Sequence, residues 1–219
     1  ELLGIPEEIT EIAMFPVAWT KGTDFRPARR DPARDITFFD GYGRTYEYGP
    51  GTPVAMADGP GTMVETDIAA EIDEVWAAVT DIDLPAQFSD EFTGATWDDG
   101  FDGPALGATF TGRNHLEVMG DWEVPCFVDV CEEPVAFGWC TSDPDNPGAR
   151  WRFELQPLMG GGTRLLYRLI LGPGPSGLNM FIEQNPDKEP RIIANRLRVH
   201  RSNMQAVVNG IKAHVEADS

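Results

Sequence analysis

PRIIANRLRVHRSNMQAVVNGIKAHVEA, residues 190–217, is the stretch on which the fold turns. Ile193, Leu197, His200, Met204, Val207, Val208, Ile211 and Val215 recur three and four positions apart, the spacing that gathers side chains on one face of an α-helix. Arg191, Arg196, Arg198 and Arg201 fall mostly off that stripe. The spacing predicts one long helix with a single apolar face, and that face needs a large apolar surface to cover it.

Upstream residues supply such a surface. Segments 107–116, 121–131, 135–141, 149–158 and 163–171 read as strands bounded by turn formers, with a weaker one at 94–98. Residues 143–148 and 160–162 are turn-type connections, so consecutive strands pair as an antiparallel meander. Alternation puts Trp122, Val124, Cys126, Val128 and Val130 on a dry face, with Trp151, Phe153 and Leu155, then Leu165, Tyr167, Leu169 and Leu171. The opposite positions carry Glu123, Asp129, Arg150, Arg152, Glu154, Arg164 and Arg168. Residues 63–68 form a first strand, followed by a helix over 70–81 marked by Ile72, Val75, Trp76 and Val79. The fold class is α+β: a curved antiparallel sheet wrapped around a long C-terminal helix, with an extended N-terminal segment. The Gly/Pro-rich residues 172–177 predict an irregular, mobile lip at the mouth of any cavity.

Composition narrows the partners. The formal net charge of −19 opposes binding to nucleic acid phosphates or anionic lipid, which demands clustered Lys and Arg. No apolar run reaches the length of a membrane span, and no charged-then-apolar leader is seen, so the reading is a cytoplasmic protein without membrane insertion. Cys126, Cys131 and Cys140 are odd in number, lack a zinc spacing and read as buried thiols of a reducing compartment. Asp98, Asp99, Asp102, Glu132, Glu133, Asp143 and Asp145 cluster at turns as a solvated acidic rim without the oxygen-ligand alternation of a calcium loop, so no metal site is expected.

The chain opens Glu1-Leu2-Leu3-Gly4-Ile5-Pro6 without an initiating Met, which reads as a segment of something longer. Turn formers crowd residues 46–61 as a linker, leaving 1–45 too short to bury a core and 62–217 as the main domain.

Strand, helix, meander and long amphipathic helix resemble the START-like (SRPBCC) superfamily of polyketide cyclases, plant Bet v-type allergens and lipid transfer domains. Glu74-Val75-Trp76 with Thr80-Asp81-Ile82, Phe110-Thr111-Gly112-Arg113-Asn114 and Gly162-Thr163-Arg164-Leu165 resemble its bacterial polyketide cyclase/dehydrase branch. The resemblance implies a helix-grip fold whose ligand lies between sheet and long helix. Leu3-Gly4-Ile5-Pro6, Gly22-Thr23-Asp24-Phe25 and Arg29-Arg30-Asp31-Pro32 resemble the C-terminal end of an FMN-dependent nitroreductase. That likeness implies a contact of Arg30, with Arg29, to the FMN phosphate in a full-length parent; Asp31 departs from the usual apolar residue. Residues 62–217 call for no cofactor.

If the fold holds, the ligand-facing candidates are Trp122, Trp139, Trp151, Phe153 and Tyr167 on the sheet, and Leu197, Met204 and Val208 on the helix. His200 interrupts the apolar stripe, where a neutral imidazole could serve as acid or base. In 109–114 either Asn114 or Arg113 faces inward, and the bulk of Phe110 favours Asn114. The leading function is binding or transport of a small hydrophobic molecule, aromatic, polyketide-like or lipid-like. The rival is an enzyme: a cyclase or dehydratase using His200, Tyr167 or Asn114, or the C-terminal part of a flavin oxidoreductase.

Overall fold

The computed structural model describes residues 55–117 and 119–217. The expectations placed on residues 1–45, including Arg29 and Arg30, lie outside the described residues, as does the first part of the linker. From Ala55 on, the elements are β1 (Gly61–Ile68), α1 (Ile72–Thr80), β2 (Phe92–Trp97), β3 (Thr109–Leu116), β4 (Gly120–Glu132), β5 (Ala136–Thr141), β6 (Ala149–Pro157), β7 (Thr163–Leu171), α2 (Gly177–Gln184) and α3 (Glu189–Ala217). All seven strands join one antiparallel sheet in the order β1-β7-β6-β5-β4-β3-β2. All six neighbouring pairs are antiparallel, and only β1 reaches across the chain, to pair with β7. The strand and helix periodicities predict this sheet and its long C-terminal helix, and the arrangement is the helix-grip fold that the resemblance implies.

Edge strands present unpaired backbone groups, and α3 caps those of β1. Arg201 Nη1 donates to Met63 O at 2.6 Å and Lys212 Nζ donates to Asp67 O at 2.5 Å. At the helix ends Glu189 accepts from the Met56 amide and Glu216 accepts from the Ala69 amide, both at 2.8 Å. These four contacts seat α3 along one margin of the sheet. Met56 is buried in the core, so the segment just before β1 packs with the domain.

Opposite the β1 side, the chain between α1 and β2 packs onto α3. An ideal Cβ at Gly210 would lie 2.1 Å from Cγ of Phe88, so the helix needs glycine there for this close approach. The contact holds the segment that carries Glu91.

Two local expectations change. Val130 belongs on the outer face: a bulge between Val128 and Val130 inserts one residue, which reverses the alternation and turns Cys131, opposite Phe137, toward the core. The 172–177 loop is pinned, where a mobile lip is expected from composition. Gly172 N donates to Gly148 O at 2.9 Å and Gly174 N donates to Pro147 O at 3.1 Å. An ideal Cβ on Gly174 would sit 1.8 Å from Asn146 O, so the loop packs backbone against backbone. Ser176 Oγ then accepts from Asn179 N at 3.1 Å and caps α2, a helix that the strand and stripe patterns do not announce.

On the convex face the arginines stand against carboxylates. Arg164 donates twice to Asp67, at 2.7 and 3.0 Å, Arg150 pairs with Asp129, and Glu154 lies between Arg152 and Arg168.

Candidate functional site

Between the concave face of the sheet, α2 and α3 lies a cavity of about 680 Å³. That size falls within the ordinary range for small-molecule sites. Its wall on the sheet is a run of aromatic rings placed by strand register: Trp139 opposes Trp151 and Phe153 opposes Tyr167. Trp139 and Trp151 are nearly parallel, 12° apart with centroids at 6.4 Å, and Phe153 stacks on Tyr167 at 4.1 Å. Phe110 meets Trp139 edge-on at 5.8 Å and Trp151 leans on Tyr167 at 5.5 Å. Cross-strand aromatic pairs stabilise the sheet, and these rings give the cavity an apolar aromatic wall.

Of the residues proposed from sequence, Asn114, Trp122, Trp139, Trp151, Phe153, Tyr167, His200 and Met204 line this space. Phe110, Gly112 and Asn114 share the cavity side of β3, while Arg113 turns outward and donates to Thr96 Oγ1 at 2.7 Å. Leu197 and Val208 do not line it. At about 100° per residue, Arg196, His200, Asn203 and Val207 share an arc of about 60°, and Leu197 and Val208 stand roughly 60–80° round from His200. They face the β1 side with Arg201 and Lys212, where Val208 is fully buried and Leu197 is packed against the core. A stripe read only as "apolar face" merges these two directions.

His200 is buried and touches Trp151 edge-on at 5.2 Å. Burial, and secondly the Arg196 guanidinium, push its pKa down to about 3, so the imidazole is neutral. Burial likewise raises the Tyr167 phenol, which stays protonated. Among the described residues no hydrogen bond joins His200 to Tyr167 or Asn114. Cys126, also in the wall, is pushed up to about 12 by burial, so it is a protonated thiol and no nucleophile.

Sequence reading missed an ion pair in the same wall. Glu91 and Arg196 both line the cavity; Nη1 of Arg196 donates to Oε2 of Glu91 at 2.9 Å and Nη2 donates to Oε1. Arg196 lies one turn before His200, a spacing of four that could have placed it on the cavity face. Glu91 sits between a 3-10 turn and β2, where no periodicity reports direction. Among the described residues no group of three or more His, Cys, Asp or Glu side chains comes together as a metal would need, and no helix is long and apolar enough to cross a membrane.

The fold and its cavity define a helix-grip protein with a hydrophobic small-molecule site. Residues 62–185, more than half of the chain, match the family model described as polyketide cyclase / dehydrase and lipid transport, and the chain belongs to that family. Among solved structures, a polyketide-cyclase-like protein of Corynebacterium glutamicum is 28% identical, with 72% of this chain and 92% of that chain covered at a TM-score of 0.53. Two di-domain ARO/CYC proteins share the fold at 13% identity: StfQ of the steffimycin biosynthetic pathway, TM-score 0.56, and BexL of the BE-7585A pathway, TM-score 0.53. The match covers 72% of this chain in each case and about half of those chains, 51% and 50%. No match is found among curated proteins.

Proposed function

We propose that this domain binds and carries a small planar apolar molecule, aromatic or polyketide-like, in the cavity between sheet and α3. The observation that carries the reading is the ladder of rings from Phe110 through Trp139, Trp151 and Tyr167, all of which line the cavity. Family membership supports a hydrophobic ligand in general. The aromatic preference rests on the rings, since a flexible acyl chain gains no stacking from parallel indoles. Quenching of tryptophan fluorescence tests it: anthraquinone is expected to quench saturably, with palmitate binding at least about tenfold more weakly. Palmitate binding as tightly as anthraquinone would overturn the aromatic reading.

A second reading, cyclase or dehydratase chemistry, is favoured by one observation: His200 is a neutral imidazole inside the cavity and is able to accept a proton. With a pKa of about 3 it is a weak base, suited only to an already acidic proton. His200→Ala would then abolish turnover of a poly-β-ketone while leaving ligand affinity roughly intact. Unchanged turnover excludes that role.

A further inference from the structure

The cavity has a polar seam facing its aromatic wall. Glu91 and Arg196 are held fork to fork, with their side chains 8% and 25% exposed, on the cavity lining. Glu91 uses both carboxylate oxygens on Arg196, whereas the guanidinium commits two of its five N–H donors to this pair. His200 and Asn203 follow on the same arc of α3 and also line the cavity. Among the described residues neither side chain has a protein hydrogen-bond partner. Trp139, Trp151 and Tyr167 line the same cavity, and His200 meets Trp151 edge-on.

The charges of the seam balance locally: the Glu91 carboxylate matches the Arg196 guanidinium, and the imidazole of His200 is neutral. A ligand carboxylate entering here would be stripped of water and placed near Glu91, in a protein of net charge −19, with a cation already engaged. A ketone or phenol oxygen would accept from the uncommitted guanidinium N–H, the Asn203 amide or a ring N–H without bringing charge into the cavity.

Building on the carrier reading, we infer that Glu91, Arg196, His200 and Asn203 form the polar subsite of the cavity and select a planar aromatic ligand with a neutral carbonyl or phenolic oxygen over the corresponding carboxylate. The ion pair acts as a charge filter: it supplies donors but no net positive charge.

Three probes of one ring system separate the possibilities: naphthalene, 2-acetylnaphthalene and 2-naphthoate, titrated near neutral pH with tryptophan fluorescence as readout. The wild-type protein is expected to bind 2-acetylnaphthalene about tenfold more tightly than either of the others, the worth of one good hydrogen bond. In the double variant Glu91→Leu/Arg196→Met, which removes both charges and strands neither, the ratio of ketone to naphthalene affinity is expected to fall to about threefold or less. Tighter binding of naphthoate than of the ketone, or equal binding of all three, overturns the subsite while leaving the carrier reading intact. Retention of the full ketone preference by the double variant does the same. Failure of every probe to bind overturns the carrier reading and the subsite with it. The wild-type series decides the matter even if the double variant does not fold.

Discussion

His200 sits against Trp151 at 5.2 Å and beside Arg196, and it is the group through which acid should act on this domain. Its unfolded value is 6.5 and its folded value about 3. Between these the unfolded state binds one more proton, so stability falls as pH drops below about 6.5, by up to about 1.4 kcal/mol per pH unit, and is fully present above it. Urea unfolding at about pH 7 and about pH 5 should show the wild type losing roughly 2 kcal/mol more than His200→Gln. Equal losses would contradict the buried neutral imidazole. Trp151 touches Trp139, Tyr167 and His200, so Trp151→Leu should weaken anthraquinone binding about tenfold, the worth of about one aromatic contact. Isothermal titration checks this, and unchanged affinity would place the ligand elsewhere. Most cavity residues were legible at this scale because strand alternation reports side-chain direction. Glu91 was not, because it lies in irregular chain.

At the scale of elements, α3 and the 172–184 segment set the shape of the cavity. Gly210→Ala improves helix propensity by about 1 kcal/mol, yet it drives a methyl group into the Phe88 ring. Overpacking should win, with a net loss of about 1–2 kcal/mol in denaturant unfolding, since such insertions cost about 1–3 kcal/mol or more. A stabilised variant would show that Phe88 is free to move. Asn179 Nδ2 donates to Gly172 O at 3.0 Å and to Gly174 O at 2.5 Å, tying the loop to α2. Asn179→Ala should therefore speed hydrogen exchange of the amides over 172–184 and accelerate probe release in stopped-flow measurements, leaving β3–β6 unaffected. The long helix and the strands were readable because their periods repeat over many residues. α2 was hidden because eight residues give barely two turns, and the glycines and prolines before it read as loop although they serve close backbone packing. The β4 bulge was hidden for a related reason: one inserted residue leaves Val128 and Val130 looking alternate in sequence while it moves Val130 to the outer face.

At the scale of the molecule, a sheet that carries its aromatics on the concave face is gripped by a helix fixed along one margin, and the space left between them is the site. The convex face sets its arginines against carboxylates, with Glu154 shared by Arg152 and Arg168. The fold class followed from the helical stripe of α3 and the alternation of the strands. The polar side of the cavity did not, since it arises from a contact between Glu91 and Arg196 that are 105 positions apart. Ligand binding between sheet and helix is read directly from an amide and indole N–H correlation spectrum of the isotopically labelled protein, recorded while 2-acetylnaphthalene is added. The indole signals of Trp139 and Trp151 and the amides from Arg196 to Val207 are expected to shift and saturate together, with Arg152 and Arg168 unmoved. Saturable shifts confined to the convex face, or none at all, would contradict it.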